Sequence, residues 1–140
     1  IMGAPAIREA VQAERRMTNP ETIIQRNIQL ALGAESDFLL LPKNTVGMAK
    51  MPVGDGQLAQ YPVGLGDGSP DLVGILSPWG RWVCLEVKTP KGRAEETQKK
   101  CHAVWRRFGA LIYQVRSVDD AEKALRDARE RTRHEFSQFR

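Results

Sequence analysis

Ile24, Ile28, Ala31 and Leu32 recur at three- and four-residue intervals, the spacing that gathers side chains on one face of a helix. Just ahead of them, Thr18-Asn19-Pro20-Glu21 offers a capping side chain and a proline at the first helical position. A helix is therefore expected from this point to about Gly33. Upstream, Ile7, Ala10 and Val11 fit either one more short helix or a frayed tail, so residues 1–17 are set apart and the domain is taken as 18–140.

The pattern then shortens. Phe38 to Leu41 is an unbroken apolar run and reads as a buried strand. Residues 42–70 hold six glycines and four prolines, a density that excludes helix and leaves turns and short strands. Asp55-Gly56 is a strong two-residue hairpin signal, and a register centred on it pairs Met48–Val53 with Leu58–Val63. Pro52 and Pro62 each remove a backbone donor, which assigns this hairpin to an edge, where it could meet a second subunit, approach a ligand or lie as a surface flap.

Leu72–Leu76 and Trp82–Lys88 are two further apolar runs, separated by Ser77-Pro78-Trp79-Gly80, whose composition is that of a tight turn. They are expected to form an antiparallel hairpin, closed off by Thr89-Pro90-Lys91-Gly92. Thr97, Cys101, Val104, Trp105 and Phe108 then return to helical spacing, ending at Gly109. Ala110–Val115 reads as a strand. Ser117 with Asp120 three residues on resembles a capping box, followed by a stripe of Val118, Ala121, Leu125, Ala128 and Thr132. The order α, β, β-hairpin, β-hairpin, α, β, α is that of an α/β domain with a mixed sheet.

At 140 residues the chain is expected to fold as one domain. No apolar run approaches the ~18 residues of a membrane span, and no block resembles a signal peptide, so a cytoplasmic protein is expected. Cys84 and Cys101 form no Cys-x-x-Cys pair and read as reduced thiols. His102 lies beside Cys101, but with only His134 as a second histidine a tetrahedral zinc site cannot be completed from cysteine and histidine.

Charge is distributed unevenly. Residues 1–90 carry a net charge of −1 and residues 91–140 a net charge of +5. Lys91, Arg93, Lys99, Lys100, Arg106 and Arg107 fall within 17 residues, a density that suits a polyanion such as nucleic acid and equally an ordinary solvated helix face.

If Leu76 pairs with Arg81 across the four-residue turn, Asp71 falls opposite Glu86. Directly opposed side chains share one face ~5 Å apart, and like charges there are unfavourable. At an effective dielectric of about 20 the repulsion is roughly 3 kcal/mol. Lys88 returns to the same face two residues beyond Glu86 and offsets part of it. A divalent cation offsets the rest: two carboxylates with open positions suit Mg²⁺ or Mn²⁺, which keep waters and accept phosphate oxygens. A surface ion pair between Glu86 and Lys88 is the plainer alternative, but the apolar flanks Leu72-Val73 and Val83-Cys84-Leu85-Val87 argue that these charges are buried. Trp79 in the turn and Trp82 on the Glu86 side fit core packing better than base stacking.

Asp67-Gly68-Ser69-Pro70-Asp71-Leu72-Val73-Gly74, Leu85-Glu86-Val87-Lys88-Thr89-Pro90, Thr97-Gln98 and Phe108-Gly109-Ala110 together resemble the VRR-NUC (virus-type replication-repair nuclease) group of the PD-(D/E)xK superfamily, in particular its small stand-alone phage or prophage members. The likeness runs from about Glu21 to Leu125. It implies a restriction-endonuclease-like core of α-β-β-β-α-β type, a mixed sheet flanked by helices, here with an added edge hairpin. It implies that Asp71, Glu86 and the main-chain carbonyl of Val87 hold Mg²⁺ or Mn²⁺, with Glu21 added directly or through water. By the same likeness Lys88 positions the attacking water and Gln98 lies over the site. Glu21 is equally accounted for as a first-turn acid favourable to the helix dipole, and Gln98 as a solvated helix residue.

Lys91, Arg93 and Lys99 would then contact DNA phosphates beside the metal, orienting the strand without reading sequence. The activity so implied is a metal-dependent, structure-specific DNA endonuclease cleaving four-way (Holliday) junctions by metal-activated water attack, working as a homodimer in the cytoplasm of a bacterial host if phage-encoded. A nuclease acting on flaps, nicks or ends, and a non-catalytic DNA-binding module of the same fold, are the alternatives. No membrane partner is expected.

Overall fold

The computed structural model describes residues 3–139, the side chains of 13–18 excepted. Two helices come first, α1 (Ala4–Thr18) and α2 (Pro20–Leu32). The upstream segment left open by the sequence is thus helical, and its described side chains are exposed from Ala4 to Gln12. Asn19 separates the two, its side chain accepting a hydrogen bond from the Glu21 amide at 2.9 Å, so the expected cap and the N1 proline start α2 where predicted.

The main sheet has four strands in the order β1 (Phe38–Leu40), β4 (Leu72–Leu76), β5 (Arg81–Val87), β6 (Leu111–Val115). β4 runs antiparallel to its two neighbours β1 and β5, and β6 lies parallel to β5. The crossover between β5 and β6 is α3 (Glu96–Arg107), and α4 (Val118–Ser137) closes the chain, capped by the Ser117 side chain on the Asp120 amide. The fold is therefore α/β, a mixed sheet flanked by helices.

Alternation sorts β5 into two faces. Val83, Leu85 and Val87 meet Leu72 and Leu76 in a core covered by Ile28 and Leu32 of α2 and by Ala121, Leu125 and Ala128 of α4. On the other face, Val73, Cys84 and Ile112 pack beneath Trp105 of α3. Gly74 lies under the Phe38 ring, which a Cβ would meet at 2.1 Å, so a side chain here would expel the aromatic from the core.

Four expectations need correction. The 38–41 run forms a three-residue edge strand with Leu39 exposed, because the sheet ends there. The Asp55-Gly56 hairpin, β2 (Gly47–Gly54) and β3 (Gln57–Val63), forms around the expected turn but one residue out of the expected register, Met48 meeting Pro62 and Pro52 meeting Leu58 because a bulge lies between Pro52 and Gly54, and it is a separate two-stranded sheet, not an edge of the main one. β5 is shifted by one residue and stops at Val87. On α3, Val104 and Phe108 are exposed and His102 is buried. The sheet face under this helix carries Glu86 and Lys88, so the helix turns polar groups inward in place of its full apolar stripe.

Candidate active site

The site forms where β4 begins and β5 ends. The β4–β5 register runs from Leu72 opposite Leu85 to Leu76 opposite Arg81, which leaves Asp71 one residue outside the ladder and across from Glu86. The Asp71 carboxylate takes the place of the next ladder bond: its Oδ2 accepts from the Val87 amide at 2.8 Å. A strand residue presents its N–H and C=O to the same neighbour, so the Val87 carbonyl leaves β5 on the Asp71 side.

Glu86 and Lys88 project on the α3 face, both buried. The Lys88 Nζ stands 3.4 Å from Glu86 Oε1. The Lys88 backbone is fixed by its N–H donating to the Val115 carbonyl at 3.0 Å, and Arg116 donates to the Thr89 carbonyl just beyond. Burial, and next the Asp71 charge, push the Glu86 carboxyl up to about 7, against the pull of Lys88 in the other direction.

Gln98 and His102 lie one helical turn apart on α3 and straddle the Glu86 carboxylate. Gln98 Nε2 donates to Oε1 at 2.7 Å, while Gln98 Oε1 accepts from the Glu95 amide at 3.1 Å. His102 Nε2 faces Oε2 at 3.5 Å. Both Oε2 and Nε2 are buried with no hydrogen-bond partner. Desolvation by burial, followed by the Arg106 charge, lowers the proton affinity of His102 and favours the neutral ring.

Asp71 is delivered by the loop that precedes β4. Gly68 has φ +78°, and a Cβ there would stand 2.5 Å from the Thr97 carbonyl, so only glycine lets this loop press against the first turn of α3. A cavity of about 450 Å³ opens here, lined in part by Asn44, Asp67, Asp71, Glu95 and Gln98.

Of the residues singled out in the sequence, the fold brings together Asp71, Glu86, Val87, Lys88 and Gln98. Glu21 lies half-buried in the first turn of α2, a helix packed on the opposite face of the sheet, and no described contact joins its carboxylate to the cluster. Lys91, Arg93 and Lys99 are exposed, and Lys99 Nζ is paired with Glu96 at 3.1 Å. Trp79 packs against the core and Phe136, while Trp82, 42% exposed, makes an edge contact with Trp105.

Two residues of this region escaped the sequence. His102 lies beside Cys101 without a zinc site to fill, and its four-residue interval from Gln98 sets both on one helix face above β5. Asn44 carried no signal, because its partners lie 21 to 27 residues away.

No protein-family model matches the sequence, and no curated protein matches it. Among solved structures, the chain is similar to one described as a VRR_NUC domain. The two are 23% identical with a TM-score of 0.48, over 76% of this chain and 95% of that one. The likeness is distant, and the α/β fold stands on the strand pairings themselves. Among the described residues, no helix is long and apolar enough to cross a membrane, and no group of three or more His, Cys, Asp and Glu side chains converges as metal ligands.

Proposed function

We propose that this chain is a divalent-metal-dependent DNA endonuclease of the PD-(D/E)xK type, acting on branched DNA and in particular on four-way junctions. The observation that carries the reading is the buried Glu86 carboxylate, set against Asp71 and Lys88, with an oxygen that has no donor. A buried acceptor left unmet is costly, and a second carboxylate beside it makes a proton or a cation the natural partner. The donor set fits a hard cation: Asp71, Glu86 and the Val87 carbonyl are all oxygen ligands, and so sparse a set matches Mg²⁺ or Mn²⁺, which retain waters. Glu21 would join this set directly or through water.

Bound there, the ion supplies Lewis-acid polarisation of the phosphate and a more acidic water. The chain does the rest. Gln98 holds one Glu86 oxygen, while the other, Oε2, is left without a donor. Lys88, fixed at both backbone and side chain, orients the attacking water and stabilises charge on the phosphate oxygens. Lys91, Arg93 and Lys99 contact flanking phosphates.

A four-way junction is two-fold symmetric and needs two cuts, so the working form is a homodimer. The β2–β3 hairpin supports it, with Met48, Met51, Leu58 and Tyr61 all exposed on a two-stranded sheet of its own, a unit that is marginal in water by itself.

The test is cleavage of labelled junction, flap and linear duplex side by side, with Mg²⁺ or Mn²⁺ and with EDTA, for the intact chain and Lys88→Ala. The expected result is junction cutting by the intact chain in metal alone. Metal-dependent cutting of flaps or duplex in preference would keep the site and replace the substrate. Binding without cleavage on every substrate would overturn the enzyme.

A further inference from the structure

Asn44 lies between β1 and β2, outside any sequence motif, yet each of its polar groups apart from the main-chain carbonyl is engaged with the segment that delivers Asp71. Its side-chain Nδ2 donates to Ser69 Oγ at 2.7 Å and to the Pro70 carbonyl at 2.8 Å. Its Oδ1 accepts from the Leu65 amide at 3.0 Å, and its own amide donates to the Asp71 carbonyl at 3.0 Å. Ser69 passes the connection on, its hydroxyl donating to the Gly66 carbonyl at 2.6 Å. One side chain thus ties down residues 65, 69 and 70, and its backbone ties down 71.

We propose that Asn44 is a positioning residue for Asp71, fixing the loop so that the carboxylate reaches the end of β5. The inference rests on the reading of Asp71 as a metal ligand, but its geometry does not. Loops are the least constrained part of a fold, and a ligand carried by one needs a support that locks it to within a fraction of an ångström. The segment before β4 has three glycines, Gly64, Gly66 and Gly68, all at positive φ, and no regular structure of its own. Asparagine suits the task because its amide offers two donors and an acceptor at once, a combination that neither serine nor aspartate carries.

The same bonds place the base of the hairpin in the frame of the site. Asn44 precedes β2 and Leu65 follows β3, so the Leu65 bond closes the neck of the hairpin on the residue that holds the Asp71 loop. Gly64 adds to this closure: a Cβ there would stand 2.4 Å from the Thr45 carbonyl. Asn44 is therefore shared between the neck of the hairpin and the loop that carries Asp71.

The experiment uses the full chain, ¹⁵N-labelled, with two readouts. The Val87 amide, which donates to Asp71 Oδ2, reports where that carboxylate lies, in the absence of metal and without activity. Mn²⁺ affinity, measured by electron paramagnetic resonance, reports the ligand set. Asp71→Asn is the reference for a displaced or weakened carboxylate. Asn44→Ala is expected to shift the Val87 amide resonance in the same sense as Asp71→Asn, to speed its hydrogen exchange and to weaken Mn²⁺ about tenfold or more. Asn44→Asp keeps the size and the acceptor for Leu65 but loses both donors, and serves where the alanine variant does not fold. Its added negative charge would by itself tighten a cation, so weaker Mn²⁺ binding there reports displacement of Asp71.

A Val87 resonance and exchange rate unchanged in a folded Asn44 variant would overturn the inference, whatever the melting temperature does. If the intact chain binds no Mn²⁺, the metal-site reading fails and the role toward a metal fails with it, while the Val87 readout still decides whether Asn44 sets the position of Asp71.

Discussion

Gln98 reaches Glu86 with one end of its side-chain amide and its own helix start with the other, donating to Glu86 Oε1 at 2.7 Å and accepting from the Glu95 amide at 3.1 Å. The start of α3 and the orientation of the candidate metal-binding carboxylate are therefore set by one side chain. The two roles separate by substitution. Gln98→Glu keeps an acceptor for the Glu95 amide but places a like charge against Glu86 Oε1, whereas Gln98→Ala removes both bonds. Gln98→Ala should cost about 2 kcal/mol of stability, about 1 kcal/mol for each of the two hydrogen bonds lost. Gln98→Glu should lose at least as much stability, since a like charge beside the buried carboxylate outweighs the kept bond to Glu95, and should lose more cleavage, by tenfold or more. Thermal melts beside single-turnover cleavage check the ordering.

The raised Glu86 carboxyl sets a pH dependence for the metal-free chain. Its folded value of about 7 lies above the ordinary 4.5, so between these limits the folded state binds more protons than the unfolded one. Stability is then greatest at the acid end of this window and falls as pH rises through about 7. The melting temperature should drop by a few degrees across the window. Glu86→Gln should flatten that slope. Saturating Mn²⁺ should also remove it, since a cation takes the deprotonated form. A slope of the same size in Glu86→Gln would assign the effect elsewhere.

Far from the site, Arg129 of α4 forks onto Asp37, with Nε 2.7 Å from Oδ2 and Nη2 2.6 Å from Oδ1, and Nη2 also reaches Glu35 at 2.9 Å. This clamp joins the last helix to the turn before β1. The hydrogen bonds from Arg129 hold the Asp37 carboxyl below its ordinary 3.8, so its contribution is present above that value and lost as pH falls through the lower folded one. Both side chains are partly exposed, so Arg129→Lys, which loses the fork, should cost at most about 1 kcal/mol. It should also blunt the acid limb of a pH–melting curve, and an unchanged acid limb would show that the fork is not what protects against acid.

How far the site could be read in advance differs from residue to residue. Asp71 and Glu86 were legible because a four-residue turn fixes strand register and strand side chains alternate, so two positions fifteen residues apart could be set on one face by geometry alone. The helix above them departs from its apolar spacing. Thr97, Cys101, Val104, Trp105 and Phe108 have the right spacing for a buried stripe, but a helix buries whatever matches the surface beneath it. Here Glu86 and Lys88 draw Gln98 and His102 inward and leave Phe108 87% exposed. Asn44 was invisible because hydrogen bonds between loops have no period.

The hairpin makes the homodimer testable. If Met48, Met51 and their neighbours are covered by a second copy, Met51→Glu buries an unpaired charge there. The expected outcome is a halved mass by light scattering with little change in melting temperature, because Met51 is already 52% exposed in the single chain. A dimer mass unchanged by this substitution would remove the hairpin from the interface.

The cations of the β5–α3 turn and of the first turn of α3 give a last expectation, through salt. If about four phosphates are neutralised, the logarithm of DNA affinity should fall against the logarithm of salt with a slope near −3.6. The three residues named for this role are not equal. Lys91 and Arg93 are exposed with no described acidic partner, while Lys99 already shares its charge with Glu96 at 3.1 Å. Removing Lys91 or Arg93 should each make the slope shallower by about 0.9, whereas Lys99→Ala should change it less, since part of its charge is spent within the helix. Affinities of the three variants for one junction, between about 50 and 200 mM salt, separate these cases. Equal changes would mean that DNA displaces Glu96 from Lys99, and no change in any of them would place the phosphate-binding surface on another face.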